Sequence, residues 1–271
     1  MSQTLSQFHH SVTGPESGRR WVFLHGLMGY SQNWRRIVLA LEKTEQCLVF
    51  DQRGHGRSFK PVNGFSPEDY ASDLNNILNE LGWDKIILVG HSMGGRNAMA
   101  FAALYPEKML KLVVEDMGPE KRENAHLYYQ HLLDSVPTPF VNREAAKSFF
   151  ANEFSAKVST KEREGVLSQF LYANMEEKQD GSIDWRFSKD GIIKSVIEGR
   201  TSDRWAYVPK INCPTLLIRG QNSSEFPRES YEKMLEMNPQ FQGLEIPNAG
   251  HWVHSEQPEL FVEAIKRFTS M

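Results

Sequence analysis

Lys85-Ile86-Ile87-Leu88-Val89 runs without a break into Gly90-His91-Ser92-Met93-Gly94-Gly95. The first five residues form an apolar, β-branched stretch of the kind found in strands covered on both faces. The following pattern is Gly-x-Ser-x-Gly. From Met93 to Tyr105 the chain is Ala-rich and reads as a helix stopped by Pro106. A serine between a strand and a helix sits on a sharp, strained turn, where side chains in place of the glycines would strike neighbouring backbone. Its hydroxyl is then exposed at the carboxyl end of the sheet, beside a helix N-terminus that favours negative charge. A plain strand-to-helix turn, with Gly95 only permitting close packing, is the bland alternative. Strand before and helix after favour Ser92 as a nucleophile.

Outward from this turn, Lys111 to Glu115 (KLVVE) and Thr215 to Arg219 (TLLIR) are further buried-strand runs, and Cys47 to Asp51 is a short one. Leu5 to Thr13 and Arg20 to Leu24 read as two strands around the turn Gly14 to Gly18. Ser66 to Leu81 opens with Ser-Pro-Glu and carries a helical stripe of Tyr70, Leu74, Ile77, Leu78 and Leu81. Glu256 to Phe268 carries another, of Leu260, Phe261, Ala264, Ile265 and Phe268. Alternation of strand and helix predicts an α/β fold, a mostly parallel sheet with helices on both faces. From 118 to 208 the β-pattern vanishes and the chain becomes charged, helix-prone and aromatic. This stretch is expected to be a mainly helical cap inserted between core segments 1–117 and 209–271. The simpler possibility is helical packing with no part in the site.

Two more motifs carry chemistry. Leu24-His25-Gly26-Leu27-Met28-Gly29 follows a strand. Acyl transfer generates an oxyanion that needs two fixed donors, and the backbone N–H groups of Leu27 and Met93 are the candidates. His25 reads chiefly as a structural hydrogen-bonding group, with His25 and Gly26 placed near the substrate. Asn248-Ala249-Gly250-His251-Trp252 follows the strand Gly243 to Ile246. Of nine histidines, His251 is the one beside a glycine just beyond the last strand, which suits a general base, and Trp252 is a candidate substrate contact.

With Asp51-Gln52-Arg53-Gly54-His55-Gly56-Arg57-Ser58 added, these motifs resemble the α/β-hydrolase superfamily, in the family's order from about residue 20 to 268, the cap excepted. The resemblance implies a structural role for the Asp51–Ser58 turn. It also implies a serine–histidine–acid triad. Many relatives place the acid three residues after the glycine that ends the TLLIRG strand, but that slot holds Ser223, with Glu225 two positions later. Another branch, small bacterial and mitochondrial esterases, places an aspartate after the strand that follows the nucleophile helix. Asp116 occupies that place, with Glu115 expected to point to the opposite face. Asp116 is the preferred acid and Glu225 the alternative. A strand-end residue capping the next loop would be the non-catalytic reading of Asp116.

Composition narrows the remaining classes. The 271 residues carry 31 basic and 34 acidic side chains, a net charge of -3, and 40% hydrophobic residues. No basic run points to nucleic acid or an anionic membrane. The N-terminus lacks the pattern of a secretion signal, and no apolar run reaches the roughly 20 residues of a membrane helix. Cys47 and Cys213 are expected to be reduced packing residues. No phosphate loop, no dinucleotide glycine pattern and no metal spacing is present. The expectation is therefore a cofactor-free, metal-free cytoplasmic serine esterase acting on small esters or thioesters of short to medium acyl chain, monomeric or homodimeric. Carbon–carbon bond hydrolysis, lactone opening, a lyase step or a slow, receptor-like hydrolase that binds a small ligand would share the same residues.

Overall fold

The computed structural model describes residues 4–158 and 164–270. Seven strands form one sheet: β1 (His10–Thr13), β2 (Arg20–Leu24), β3 (Gln46–Phe50), β4 (Ile86–His91) and β5 (Met109–Glu115) come before the cap. The cap contributes a small hairpin of its own, β6 (Met175–Glu177) and β7 (Ile183–Trp185). The sheet is completed by β8 (Thr215–Gly220) and β9 (Phe241–Ile246), in the order β1-β3-β2-β4-β5-β8-β9. All neighbours are parallel except β1 against β3. Ligand crevices in such sheets lie at the carboxyl edge where the winding reverses. Here β3 lies on one side of β2 and β4 on the other, so the loops after β2 and β4 meet there.

Burial on both faces explains the apolar runs. Leu112 and Val114 belong to the core on one face of the sheet and Val113 to the core on the other. Helices α1 (Arg35–Leu41), α2 (Pro67–Leu81) and α3 (Met93–Leu104) precede the cap. Local chemistry sets the ends of α2: the Ser66 hydroxyl accepts from the Asp69 N–H, Asp69 accepts from the Ser66 N–H, and Gly82 ends the helix in a left-handed conformation. The cap holds α4 (Ala125–Asp134), α5 (Arg143–Asn152), α6 (Phe154–Lys157), α7 (Glu164–Ala173) and α8 (Lys189–Arg200). The chain closes with α9 (Arg228–Met237), α10 (Val253–Glu256) and α11 (Pro258–Ser270).

Several sequence expectations change. Leu5 to Gln7 is a single 3-10 turn, so the first strand begins only at His10. It does not pair with β2, because β3 lies between them. Cys47 and Cys213 are buried free thiols, as expected. Burial pushes the Cys47 thiol up to about 12, which removes it as a nucleophile. Leu260 faces outward, leaving Phe261, Ala264, Ile265 and Phe268 as the buried stripe. The cap has its own core, built on Phe149, Phe150, Trp185 and Phe187. Its expected final residues, Trp205 to Val208, pack instead on the sheet core. Among the described residues, no helix is long and apolar enough to cross a membrane.

The glycines around Ser92 are packed against backbone. A Cβ at Gly94 would collide with the Leu24 and His25 carbonyls, whereas one at Gly165 in α7 meets nothing among the described residues. Gly94→Ala should lower stability by about 3 kcal/mol or more, and thermal unfolding should register the loss. Gly165→Ala should move the midpoint slightly upward through reduced chain entropy, by about 0.5–1 kcal/mol. Equal shifts in the two variants would contradict the packing argument.

Candidate active site

Ser92 takes φ 53° and ψ -118°, a strained conformation for a non-glycine residue. The backbone around it enforces this: the Ser92 N–H donates to the Glu115 carbonyl of β5 at 3.0 Å, while the Ser92 carbonyl accepts from the Arg96 N–H at 3.1 Å. The side chain lies at the head of α3, in a cleft shared with His251, Leu27, Trp252, Glu225 and the cap residues Tyr129 and Phe170.

The structure brings His251 and Asp116 together. His251 Nδ1–H donates to Asp116 Oδ2 at 2.7 Å, which places the ring's lone pair on Nε2. Asp116 is fully buried and sits at φ 51°, just past the end of β5. Its N–H donates to the Ile218 carbonyl of β8 at 2.8 Å. Its carboxylate also accepts from the Gly220 N–H at 3.0 Å and from the Ser223 hydroxyl. The serine in the slot where an acid might have stood thus supports the acid from the neighbouring strand. Sequence reasoning recorded Ser223 only as a departure, although its position after Gly220 was the available signal.

Glu225, the alternative acid, turns to arginines. Its Oε2 accepts from Arg122 at 2.7 Å and lies 3.3 Å from Arg200 Nη1. Burial alone would raise its pKa. The positive charges of His251, Arg200 and Arg122 outweigh that and bring it to about 2. Glu115 is also fully buried and pairs with His254, accepting from its backbone N–H and from Nδ1–H at 2.8 Å. The two adjacent acids therefore hold two different histidines of one loop.

Leu27 and Met93 flank Ser92. Among the described residues, neither backbone N–H is given to another protein group, and both residues line the narrow cavity that adjoins Ser92. The loop carrying Leu27 is braced from below. Met28, at φ 61°, donates its N–H to His55 Nε2 at 3.2 Å, and Asp51 accepts from the Ser31 N–H at 2.7 Å and the Arg57 N–H at 2.8 Å. This is the structural turn expected at Asp51–Ser58.

His25 and Gly26 were expected among the substrate contacts; neither is among the residues lining the cleft, although Gly26 lies beside Ser92. His25 Nε2 accepts from the Gln52 N–H at 3.0 Å and Nδ1–H donates to the Gly26 carbonyl at 2.8 Å, so the buried ring is committed to the loop. Gly26 makes room, because a Cβ there would press on the His91 ring. Trp252 does line the cleft. His91, missed by the sequence reading, donates from Nε2–H to the His251 carbonyl at 2.9 Å. Potential ligand atoms of His91, Glu115 and His254 lie within 4.8 Å of one another. The bonds just given engage those side chains in anchoring the His251 loop.

The buried imidazoles are held neutral. Burial lowers the pKa of His25, and burial plus the charge of His25 brings His55 to about 3. Burial and then the charges of His251 and His254 push His91 well down. Below their ordinary value near 6.5, the unfolded chain takes up protons that the folded chain refuses, so stability is full above that pH and falls as pH drops toward about 3. Calorimetry at mildly acidic pH in buffers of different ionisation heat should show a net uptake of protons on unfolding. Uptake near zero would contradict this account. Separately, Ser223→Ala should destabilise the fold by about 1.5–3 kcal/mol, the usual value of a hydrogen bond to a buried charge, as read by denaturant titration.

Comparison with known proteins places this geometry in context. The family model described as the alpha/beta hydrolase fold matches residues 22–258. The chain is 32% identical over 254 residues to mouse sn-1-specific diacylglycerol lipase ABHD11, covering 91% of this chain and 80% of that protein. It is 30% identical over 252 residues to Esterase YbfF of Escherichia coli K12, covering 91% of each. A solved structure titled "Marine microorganism esterase" superposes with a TM-score of 0.82 at 29% identity, covering 96% of this chain and 98% of that one.

Proposed function

The chain belongs to the alpha/beta hydrolase fold family, and from that premise we propose that it is a serine carboxylesterase in which Ser92, His251 and Asp116 form the triad. The observation that carries this reading is the 2.7 Å hydrogen bond from His251 to the buried Asp116 carboxylate, with His251 and Ser92 lining one cleft. The relatives named above as a lipase and as esterases support an ester as the scissile group.

In this mechanism His251 Nε2 takes the Ser92 proton as the hydroxyl attacks the ester carbonyl. Asp116 holds the imidazole in the required tautomer and stabilises the imidazolium. The Leu27 and Met93 N–H groups receive the oxyanion at the positive end of α3. Collapse of the intermediate passes the proton from His251 to the departing alcohol and leaves an acyl-Ser92. Water, deprotonated by His251, then releases the acid and restores the serine. The aromatic and aliphatic cap side chains Tyr128, Tyr129, Leu132, Leu167 and Phe170 line the cleft, which suits an apolar group of short to medium length.

Hydrolysis of p-nitrophenyl acetate, butyrate and octanoate tests the assignment. Ser92→Ala should abolish turnover, with a loss on the order of 10⁶-fold, and Asp116→Asn should lose about 10⁴-fold. Glu225→Gln should keep most of the activity. An active Ser92→Ala protein would end the serine-hydrolase reading. Loss at Glu225 with Asp116→Asn active would move the acid to the β8 loop.

A further inference from the structure

Ser92 opens onto two spaces. One is the aromatic cleft already described. The other is a narrow cavity lined by Ser92, Met93, Tyr70, Ser195, Arg96 and Arg200, with no carboxylate among its described lining residues. The two spaces share Leu27 and Ser92 and differ in charge.

Arg96 dominates the second. It is 5% exposed and stands four residues after Ser92 on α3, so one helical turn, about 5.4 Å, separates their backbones. Its Nη1 donates to the Gly199 carbonyl at 2.7 Å, and its Nη2 lies 3.1 Å from Met117 Sδ and 3.5 Å from the Gly118 carbonyl. Its Nε–H is buried and has no hydrogen-bond partner among the described residues. No carboxylate stands within ion-pair distance of it there, although other arginines in this region have one: Arg122 and Arg200 share Glu225, and Arg204 meets Glu68.

A guanidinium stays protonated in proteins, so a buried one without a counter-ion is held at a cost in free energy. Burial and then the charge of Arg200 push the Arg96 pKa well down. Glu120 opposes this, and Arg204 and Arg122 add to it. Arg200 is only loosely engaged, with both terminal nitrogens 3.3 and 3.4 Å from Glu225 Oε2. Glu120 offsets part of this charge without pairing to Arg96, and the free Nε–H of Arg96 suits one oxygen of a carboxylate.

We propose that this cavity is an anion subsite in which Arg96, assisted by Arg200, holds a carboxylate carried by the substrate. The preferred substrates are therefore half-esters of short dicarboxylic acids. This rests on the esterase reading. A spacing of one helical turn suits a carboxylate two or three carbons from the scissile carbonyl. Arg96 also ties α3 to α8 through Gly199, and the test must separate that structural role from binding.

Monoethyl succinate and ethyl 4-methylpentanoate have nearly the same shape and differ in the charged end. Release of acid by the wild type at low salt should favour the half-ester in kcat/KM. In Arg96→Gln the ratio of the two kcat/KM values should fall roughly tenfold to hundredfold, the range expected for losing a hydrogen bond to a charged group. Arg96→Lys, which keeps the charge, should retain part of the ratio. Because each protein is its own control, a general loss of packing lowers both rates and leaves the ratio intact. A wild type that favours the neutral ester, or an equal ratio in wild type and Arg96→Gln, overturns the subsite. The wild-type comparison stands even if the variant does not fold. If the wild type hydrolyses neither ester, the esterase reading fails on its own. Calorimetry of monoethyl succinate with Ser92→Ala and Ser92→Ala/Arg96→Gln then decides the subsite. Binding lost with Arg96 supports it, and no binding to Ser92→Ala overturns it.

Discussion

The site is organised by one buried carboxylate. Asp116 has no access to solvent, and an ionised acid in such a place persists only if donors surround it. The chain supplies three, two from the end of β8 (the Gly220 N–H and the Ser223 hydroxyl) and one from the loop after β9 (His251 Nδ1–H). Satisfying this charge draws the ends of β5 and β8 and the loop after β9 to one point on the sheet's carboxyl edge. The His251 ring orientation follows from the same requirement, because only an Nδ1–H tautomer completes the set.

A second constraint acts on the neighbouring strands. Ser92 and Asp116 both sit at positive φ, at 53° and 51°. Each is pinned to the next strand by a backbone bond, Ser92 to Glu115 and Asp116 to Ile218. Strain of order 1–3 kcal/mol per residue persists only where surrounding structure over-determines the conformation. Parallel pairing of β4, β5 and β8 provides that surrounding. Below the site, His25, His55 and His91 act as neutral hydrogen-bonding spacers, and their resistance to protonation links the loop architecture to pH.

Legibility in the sequence followed the range of the interactions. The KIILV-GHSMGG turn, the His251 loop and the KLVVED strand end were readable because each is local: a strand, a tight turn and one reactive side chain fall within a dozen residues. Contacts made across sequence were not readable. The pairing of β1 with β3 and the outward turn of Leu260 depend on partners far along the chain, whereas the short β6–β7 hairpin is local but its three-residue strands carry too little pattern to stand out. His25 read chiefly as a structural hydrogen-bonding group, but its partner was not legible, since a histidine in a His-Gly loop has the same local signature whether it faces substrate or, as here, Gln52. The aromatics of the cap divided between two fates that composition does not distinguish. Phe149, Phe150 and Trp185 fill the cap core, while Tyr129 and Phe170 line the cleft.

The position of the acid also accounts for the charge pattern around it. With Asp116 as the proposed acid, the β8 loop needs to contribute a hydrogen-bond donor and not a second charge, and Ser223 meets that need. A carboxylate at position 223 would place two negative charges against one histidine, which favours protonation of one of them. Glu225, relieved of that role, neutralises Arg122 and Arg200. That pairing keeps a negative charge at the cleft wall ionised through the neutral range, because the surrounding positive charges outweigh its burial. It also leaves Arg96 as the guanidinium in this region without an ion-pair partner among the described residues. A carboxylate at Asp116 and a serine at 223 thus set the charges around Ser92, with a satisfied anion behind His251 and, one turn along the helix, a cation without an ion-pair partner among the described residues.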